Sequence, residues 1–288
     1  MDCNNYKKKL LEIIVFGIGN GDCIHVELPD RQFLIDAGFS STYNEVKKRL
    51  LQDEKRVDFV VLTHDHADHI SGFMNLMNDT SFKVNRIIYW TENPVPSPSN
   101  SKKIRALISK AIKKDIHLVS IGHELHNVEQ YLGKGIEVLH PRGDLIYDSS
   151  HLNSNSIVLA FNAGENCLLF MGDATNREEK VIINRPDSTL NLELSSTKFL
   201  KVGHHGSATS SSREFLGSIV QNGFDLAVVS CKHSRNRKPP SPSKLSEIEH
   251  IVKGVRGDVF CTGENGENKD ITIKVFEENG VVKVERQY

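Results

Sequence analysis

The chain has 288 residues, of which 38% are hydrophobic and 25% charged, so it can bury a large core and has the composition of a globular protein. Its formal net charge of -1 argues against a protein that coats nucleic acid by bulk electrostatics, so any contact with a polyanion must be local. No run approaches the ~18 consecutive apolar residues of a membrane span, and the five cysteines are an odd number without a C-x-x-C pair. We therefore expect a cytoplasmic protein with buried thiols and no membrane association.

The first half of the chain predicts an antiparallel β-meander that passes into alternating helices and strands. Short β-branched or alternating runs, separated by Gly and Pro-Asp, predict strands at 10–18, 23–28 and 32–36. The spacing of Val46, Leu50 and Leu51 among charged residues predicts an amphipathic helix from Tyr43 to Leu51. The elements predicted after it are a strand at 57–63, a helix at 70–78, a strand at 84–90, a Pro/Ser loop at 93–101, a basic helix at 102–114, and strands at 116–121 and 135–139.

The second half predicts the same alternation, with no linker that would divide the chain. Its predicted elements are strands at 156–163, 166–171, 197–202, 225–230 and 257–261, helices at 174–183 and 212–221, and a β tail at 271–286. The Pro/Ser stretch at 239–243 is interpreted as a surface loop. We predict a single domain over residues 1–288 with an α/β (α+β) fold. Its expected architecture is two packed sheets with helices on the outer faces, a four-layer αββα sandwich.

A cluster of potential metal ligands follows the predicted strand at 57–63. His64, His66, Asp68 and His69 offer four nitrogen or oxygen ligands within six positions, which is costly without a cation. Imidazole and carboxylate suit Zn, Mn or Fe, and the cluster lacks the thiolates of a closed structural zinc site. The alternative is a solvated polar turn that happens to be rich in histidine. The position directly after an apolar strand favours an open, catalytic metal site.

Two other predicted strands end in residues of the same chemistry. Asp173 ends the apolar run LLFMGDA, and His204 and His205 end FLKVGHHGS. Loops at strand ends bring distant residues together, and an Asp commonly bridges two cations in two-metal hydrolases. The alternatives are that Asp173 is an ordinary turn residue and that one of the two histidines is a core residue. Convergence of the three strand ends predicts one site.

The order of these motifs resembles that of the metallo-β-lactamase superfamily. Within it, the chain is similar to the hydrolase domain of bacterial DNA-uptake competence proteins over roughly residues 13 to 266. The motifs that carry the resemblance are GIGNGDCIHVELPDRQFLIDAG, LTHDHADHISG, NSNSIVL, LLFMGDA and FLKVGHHGSATSSS, with weaker matches at SPSKL and TGENG. The resemblance implies the αββα fold and a metal-dependent hydrolase with two divalent ions, Zn or Mn.

The resemblance also implies individual roles for the matching residues. Asp68 and Asp173 would be catalytic as well as metal-binding, with Asp173 as the bridge, and Asp36 and Asp22 would support the ligands from behind. The ligands implied for the first metal are His64 and His66, and those for the second are Asp68, His69 and His204.

The chain departs from the family pattern in two places. Where many members carry another histidine before the strand preceding Asp173, this chain reads SSHLNSNS, so His151, Asn153 or a water would complete the first site. Where the competence proteins often carry His-Pro, this chain has Pro239 and Pro240. We therefore expect His205 or His233 to protonate the leaving oxygen or to bind the phosphate of the transition state.

Local basic sequence favours a phosphodiester substrate. Arginine forks suit phosphate, and the residues predicted to contact it are Ser207, Lys232, Arg235, Arg237 and Lys238. The basic helix at 102–114 adds six cations, although such helices are often only solvated faces. The run 206–212 could hold an anion on the N–H groups at the start of the next helix, or it could simply cap that helix.

Three functional hypotheses follow. The first is a nuclease or phosphodiesterase that cleaves DNA, RNA or a nucleotide by metal-activated water. The second is a hydrolase of a small ester, lactone or phosphocholine substrate. The third is a non-catalytic nucleotide- or protein-binding subunit. A partner protein or a homo-oligomer is compatible with each of them.

Overall fold

Fourteen strands form two β-sheets within the residues that the computed structural model describes, which are 7–89, 102–121, 130–141, 151–184, 194–221, 223–232, 239–263, 267–278 and 281–287. The strands are β1 (Lys7–Val15), β2 (Ile24–Glu27), β3 (Gln32–Ile35), β4 (Phe59–Leu62), β5 (Arg86–Tyr89), β6 (His117–Ser120), β7 (Ile136–His140), β8 (Val158–Ala163), β9 (Asn166–Phe170), β10 (Thr197–Lys201), β11 (Leu226–Val229), β12 (Asp258–Cys261), β13 (Ile271–Glu278) and β14 (Val281–Gln287). The α-helices with described bounds are α1 (Tyr43–Gln52), α2 (Ala67–Asn78), α3 (Lys102–Lys113), α4 (Asn176–Ile183), α5 (Arg213–Ile219) and α6 (Pro242–Gly254).

The first sheet has the strand order β14-β13-β1-β2-β3-β4-β5-β6, and the second has the order β12-β11-β10-β9-β8-β7. The opening meander β1-β2-β3 is antiparallel, as predicted, and β3 to β6 then pair in parallel. In the second sheet β7, β8 and β9 pair antiparallel, whereas β9 to β12 pair in parallel.

Apolar faces of the two sheets meet in a central core, and helices cover their outer faces. Along β1, Ile13 joins the central core while its neighbour Ile14 packs on the outer side, as the two-residue period of a strand requires. Phe33 of β3 and Phe161 of β8 meet between the sheets, with ring centroids 6.0 Å apart. Helices α1 to α3 pack on the first sheet and α4 to α6 on the second. The predicted four-layer αββα sandwich is confirmed.

Parallel pairing brings the carboxyl ends of several strands to one edge of the sandwich. The loop after β4 contacts the segment before β8 there, since Ile157 N donates to the Thr63 carbonyl (2.9 Å). The loop after β10 contacts the loop after β9, since His204 N donates to the Gly172 carbonyl (3.0 Å). At Gly172, where φ is 52°, a Cβ would lie 3.1 Å from the Cβ of Thr63. Glycine therefore permits the close approach of the two loops on which the candidate ligands lie.

The structure also differs from the predicted elements. The prediction contained no helix between the strands at 225–230 and 257–261, yet α6 occupies Pro242–Gly254. Proline is favoured in the first turn of a helix, so Ser241-Pro242 marks a helix start rather than a loop. Helix α2 begins at Ala67, three residues earlier than predicted. Within the described residues, no helix combines the length and the apolar content needed to cross a lipid bilayer.

Candidate metal centre

The segment after β4 places two histidines in an extended loop and the next two ligands on a helix. His66 has extended φ and ψ of -72° and 151°, and α2 starts at the next residue. Because side chains alternate along an extended chain, His64 and His66 come together across Asp65. Asp68 and His69 lie on the first turn of α2. Because the backbone changes from extended to helical after His66, the four side chains separate into two pairs. His64 and His66 form the first pair, and Asp68 and His69 form the second.

The first pair approaches one oxygen of Asp173. His64 Nε2 lies 3.0 Å from His66 Nδ1 and 3.6 Å from Asp173 Oδ2. One ligand atom from each of the three residues lies within 4.8 Å of the others, and His64 and Asp173 are buried. We call this group the first cluster.

The second pair approaches the other oxygen of Asp173. His69 Nε2 is 3.3 Å from His205 Nε2 and 3.4 Å from Asp173 Oδ1, and His205 Nε2 is 3.5 Å from Asp68 Oδ2. We call Asp68, His69 and His205 the second cluster. The rings of His64 and His69 are 4.1 Å apart between centroids, so the clusters adjoin and the carboxylate of Asp173 faces both.

The donor set fits divalent cations. Imidazole nitrogens 3.0 and 3.3 Å apart match the spacing of about 3.3 Å between ligands in a tetrahedral zinc shell with bonds of 2.0–2.1 Å. Asp173 Oδ1 is buried without a hydrogen-bond partner among the described residues. Burial opposes ionisation of Asp173, but His69, His205 and His64 hold its pKa well below the ordinary value. The clusters can therefore hold a metal through nitrogen and oxygen ligands.

Asp36 orients the histidines from beneath. It accepts hydrogen bonds from Thr63 N (2.8 Å), the Thr63 hydroxyl (2.7 Å) and His69 Nδ1 (2.7 Å). Since the Thr63 hydroxyl donates to Asp36, it accepts from His64 Nδ1, 3.1 Å away. Both rings are thereby held with the Nε2 lone pair towards the clusters. Asp36 therefore lies behind His69 and next to the residue that precedes His64.

Asp22 supports His205 together with a lysine that the sequence analysis did not single out. His205 Nδ1 donates to the Ser230 carbonyl (3.0 Å) and lies 3.8 Å from Asp22 Oδ1. Lys201 Nζ, at the end of β10, forms a 2.9 Å ion pair with Asp22 Oδ2, and both side chains are almost completely buried. Burial would raise the pKa of Asp22, but Lys201 and His205 lower it. The sequence feature that could have indicated this buried pair is the lysine within the apolar run FLKV.

The neighbouring histidine turns the opposite way. His204 Nε2 lies 3.8 Å from Asp173 Oδ2, on the side of the first cluster, and its Nδ1 is 3.0 Å from the Thr209 hydroxyl. His204 and His205 both have left-handed φ, 46° and 52°, a strained conformation that is typical of functional sites. His205 therefore lies within ligand distance of Asp68 and His69, whereas the resemblance implied His204 for that place.

Other predicted site residues lie outside the two clusters. His151 is exposed and belongs to none of the groups of described residues that are close enough to share a cation. Ser207 bonds to Thr209, the residue that holds His204, with 3.0 Å between the hydroxyl oxygens. The remaining four, His233, Arg235, Arg237 and Lys238, lie outside the described residues.

The two proposed anion-binding elements have internal partners. At the start of α5, Ser211 N and Ser212 N both donate to the buried carboxylate of Glu179, and the Ser212 hydroxyl caps the helix by accepting from Phe215 N (3.2 Å). The helix-cap interpretation of 206–212 is therefore correct. Helix α3 buries an apolar stripe and exposes lysines, among which Lys103 Nζ reaches the Asp65 carbonyl at 3.4 Å.

An open cleft of about 970 Å³ lies over the clusters. Ligands from both clusters form its floor, and its walls include Phe39, Asn20 and Lys232. Asn20 joins two of the surrounding loops, since its Nδ2 donates to the Pro239 carbonyl (2.9 Å) and its Oδ1 accepts from Lys232 N (2.6 Å). The cleft therefore combines an aromatic ring, an amide and a lysine above the candidate metal centre.

Comparison with known proteins agrees with this geometry. A family model described as the metallo-beta-lactamase superfamily matches residues 16–219. The chain is 25% identical over 268 residues to ComE operon protein 3 of Bacillus subtilis and 25% identical over 250 residues to competence protein ComA of Neisseria gonorrhoeae. Each alignment covers 86% of this chain but only 32% and 31% of the relative, so the chain spans about a third of their length.

A solved structure supports the fold. Igni18, a metallo hydrolase from Ignicoccus hospitalis, is 17% identical to the chain and superposes with a TM-score of 0.51. The alignment covers 91% of this chain and 98% of Igni18. At this identity the likeness concerns the fold alone.

Proposed function

The chain belongs to the metallo-beta-lactamase superfamily of metal-dependent hydrolases, and from this premise we propose that it cleaves phosphodiester bonds in DNA, RNA or a nucleotide. The observation that carries the proposal is the wall of the cleft. Lys232 and Phe39 stand beside the clusters, where an ammonium group suits phosphate and an aromatic face suits a nucleobase. The resemblance of the motifs to DNA-uptake competence proteins favours DNA among these substrates.

The ligand assignment follows the two faces of Asp173. The first cation would be held by His64, His66 and Asp173 Oδ2, and the second by Asp68, His69, His205 and Asp173 Oδ1. Two bound cations, Zn or Mn, would supply Lewis acidity to an attacking water and to a phosphoryl oxygen. A carboxylate whose two oxygens face different clusters is suited to bridging them.

The remaining groups position the reactants. Asp36 holds His69, and the Asp22–Lys201 pair supports His205, so the ligands are oriented before substrate enters. His205 donates its Nδ1 proton to Ser230 and directs Nε2 at Asp68, so we assign it to metal binding instead of protonation of the leaving group. His233 stays a prediction for that acid. Lys232 would hold the phosphate next to the clusters.

The test is hydrolysis by the purified chain loaded with Mn or Zn. We expect cleavage of single-stranded DNA and bis-p-nitrophenyl phosphate, and a loss of about 10³-fold or more for Asp173→Asn, since the bridge contacts both clusters. Asp30→Asn, at an exposed carboxylate paired with Arg31, is the matched control and should retain full activity. Lys232→Ala should raise KM for DNA more than for the small diester.

Other outcomes discriminate the alternatives. Hydrolysis of a lactone or phosphocholine panel without phosphodiester cleavage would replace the proposal with a small-ester hydrolase. Metal and DNA binding without turnover of any substrate would support a non-catalytic subunit.

A further inference from the structure

We propose that the side-chain amide of Asn153 is a ligand of the first metal, in place of the histidine that many superfamily members carry, and that this oxygen ligand biases the site towards Mn over Zn. The inference rests on the metal centre assigned above but not on the substrate. His64, His66 and Asp173 Oδ2 supply three ligands to that site, and Asn153 completes it from the segment SSHLNSNS.

The backbone around Asn153 is fastened to both loops that carry first-site ligands. Asn153 lies in a 3-10 turn over Leu152–Asn155, and its carbonyl accepts from Ser156 N (3.0 Å). The Ser156 hydroxyl accepts from Asp173 N (3.1 Å), and Ile157 N donates to the carbonyl of Thr63, the residue before His64. The turn is thus placed next to the first cluster by bonds to its neighbours in the chain.

The amide of Asn153 contacts His204, on the side of the first cluster. Its Nδ2 lies 3.4 Å from His204 Nε2, which is itself 3.8 Å from Asp173 Oδ2. Its Oδ1 is buried and has no hydrogen-bond partner among the described residues, a costly state for an amide oxygen. Rotation of the amide by about 180° exchanges these two atoms. Oδ1 then takes the place of Nδ2 beside His204 Nε2, on the side of the first cluster.

The expected preference of the first site for Mn over Zn follows from the chemical type of the Asn153 ligand. Amide carbonyl oxygen is a hard ligand that suits Mn and Mg, whereas imidazole suits Zn. A first site with Asn153 in place of a third histidine gains an oxygen and loses a nitrogen. His151, the alternative from the sequence, is exposed and outside the clusters, so it does not compensate.

The experiment compares Asn153→Ala, Asn153→Asp and Asn153→His with the wild-type chain, using Mn and Zn alone as probes. Metal content after dialysis and dissociation constants from chelator competition are measured without any substrate. We expect Asn153→Ala to weaken the first equivalent of metal by about 10-fold or more. Asn153→Asp should keep or tighten Mn binding, and Asn153→His should shift the Zn-to-Mn affinity ratio at least about 10-fold towards Zn.

Asn162→Ala, an exposed asparagine on β8, is the matched control and should bind both metals like the wild type. Unfolding in EDTA reports whether each variant is folded, and if Asn153→Ala is not, the His and Asp variants decide the question. Unchanged metal stoichiometry and affinities in Asn153→Ala, or an unchanged Zn-to-Mn ratio in Asn153→His, overturn the proposal. Failure of DNA cleavage together with the expected metal shifts would overturn the phosphodiesterase assignment and leave this ligand in place.

Discussion

Replacing Lys201 by Met tests whether the buried ion pair beneath His205 organises the metal centre. The substitution keeps an unbranched side chain of similar length in β10 and removes the ammonium group. Lys201 Nζ then no longer bonds to Asp22 Oδ2 at 2.9 Å or to the Val202 carbonyl at 3.1 Å. Asp22 is left as a buried carboxylate whose Oδ1 already lacks a hydrogen-bond partner among the described residues.

The expected loss follows from burial. The side chains of Lys201 and Asp22 are 0% and 2% exposed, so solvent does not screen the uncompensated charge. Removing one partner of such a pair costs about 3–5 kcal/mol of unfolding free energy. At about 2 °C per kcal/mol for a chain of this size, the midpoint of thermal unfolding should fall by roughly 6–10 °C.

Urea unfolding followed by circular dichroism in EDTA measures this loss without a contribution from metal binding. The matched control is Lys198→Met on the same strand, where the ion pair with Asp225 is 4.0 Å long and the side chains are 16% and 31% exposed. Such a pair is worth about 1 kcal/mol or less. Combining Lys201→Met with Asp22→Asn removes both charges and should cost less than Lys201→Met alone. Equal losses in the two lysine variants would refute the reasoning.

Three further predictions concern other parts of the fold. Asp36→Asn should lower metal affinity by about 10–100-fold in chelator competition, because the amide cannot accept all three hydrogen bonds, while an unchanged affinity would contradict the role of Asp36 in orienting His69. Burial lowers the pKa of His25 from 6.5 to about 4. Between pH 6.5 and pH 4 the unfolded protein therefore binds more protons than the folded protein. The free energy of unfolding falls as the pH falls through this range, by up to about 3 kcal/mol. His25→Gln should flatten that slope in urea unfolding at a series of pH values, and an identical slope would refute it. Gly72→Ala should destabilise by about 1–3 kcal/mol or more in the same assay, because its Cβ would lie 2.1 Å from a backbone oxygen, whereas Gly217→Ala, with open space, should stabilise by up to about 1 kcal/mol.

The predicted strands and helices agree with the observed ones where local periodicity is strong. β4, β9 and β10 were expected from apolar runs that end at His64, Asp173 and His204, and the structure has strands there. Helix α6 was missed because a Pro/Ser stretch was interpreted only as a loop, although Leu245, Ile248 and Val252 follow at helical spacing. The signal was present in the sequence, and its interpretation was wrong.

The sequence could not show which of the two adjacent histidines joins Asp68 and His69. His204 and His205 are equivalent as residue types, yet their ring centroids lie 6.4 Å apart and the ring planes are inclined by 68°. Thr209 and Asn153 lie against the ring of His204, while Ser230 and Asp22 lie against the ring of His205. Which of the two histidines joins the second cluster depends on these partners, most of them remote in the chain.

Residue type and short-range spacing in the chain determined the sandwich, the edge at which its loops converge, and the nitrogen and oxygen chemistry of the metal centre. These features follow from periodicity and from ligands a few positions apart, which the chain records directly. Only the tertiary structure decided the Asp22–Lys201 pair, 179 residues apart, and the contact of Asn153 with His204. Such contacts depend on how the two sheets pack, and packing distances between remote segments have no local pattern in the sequence.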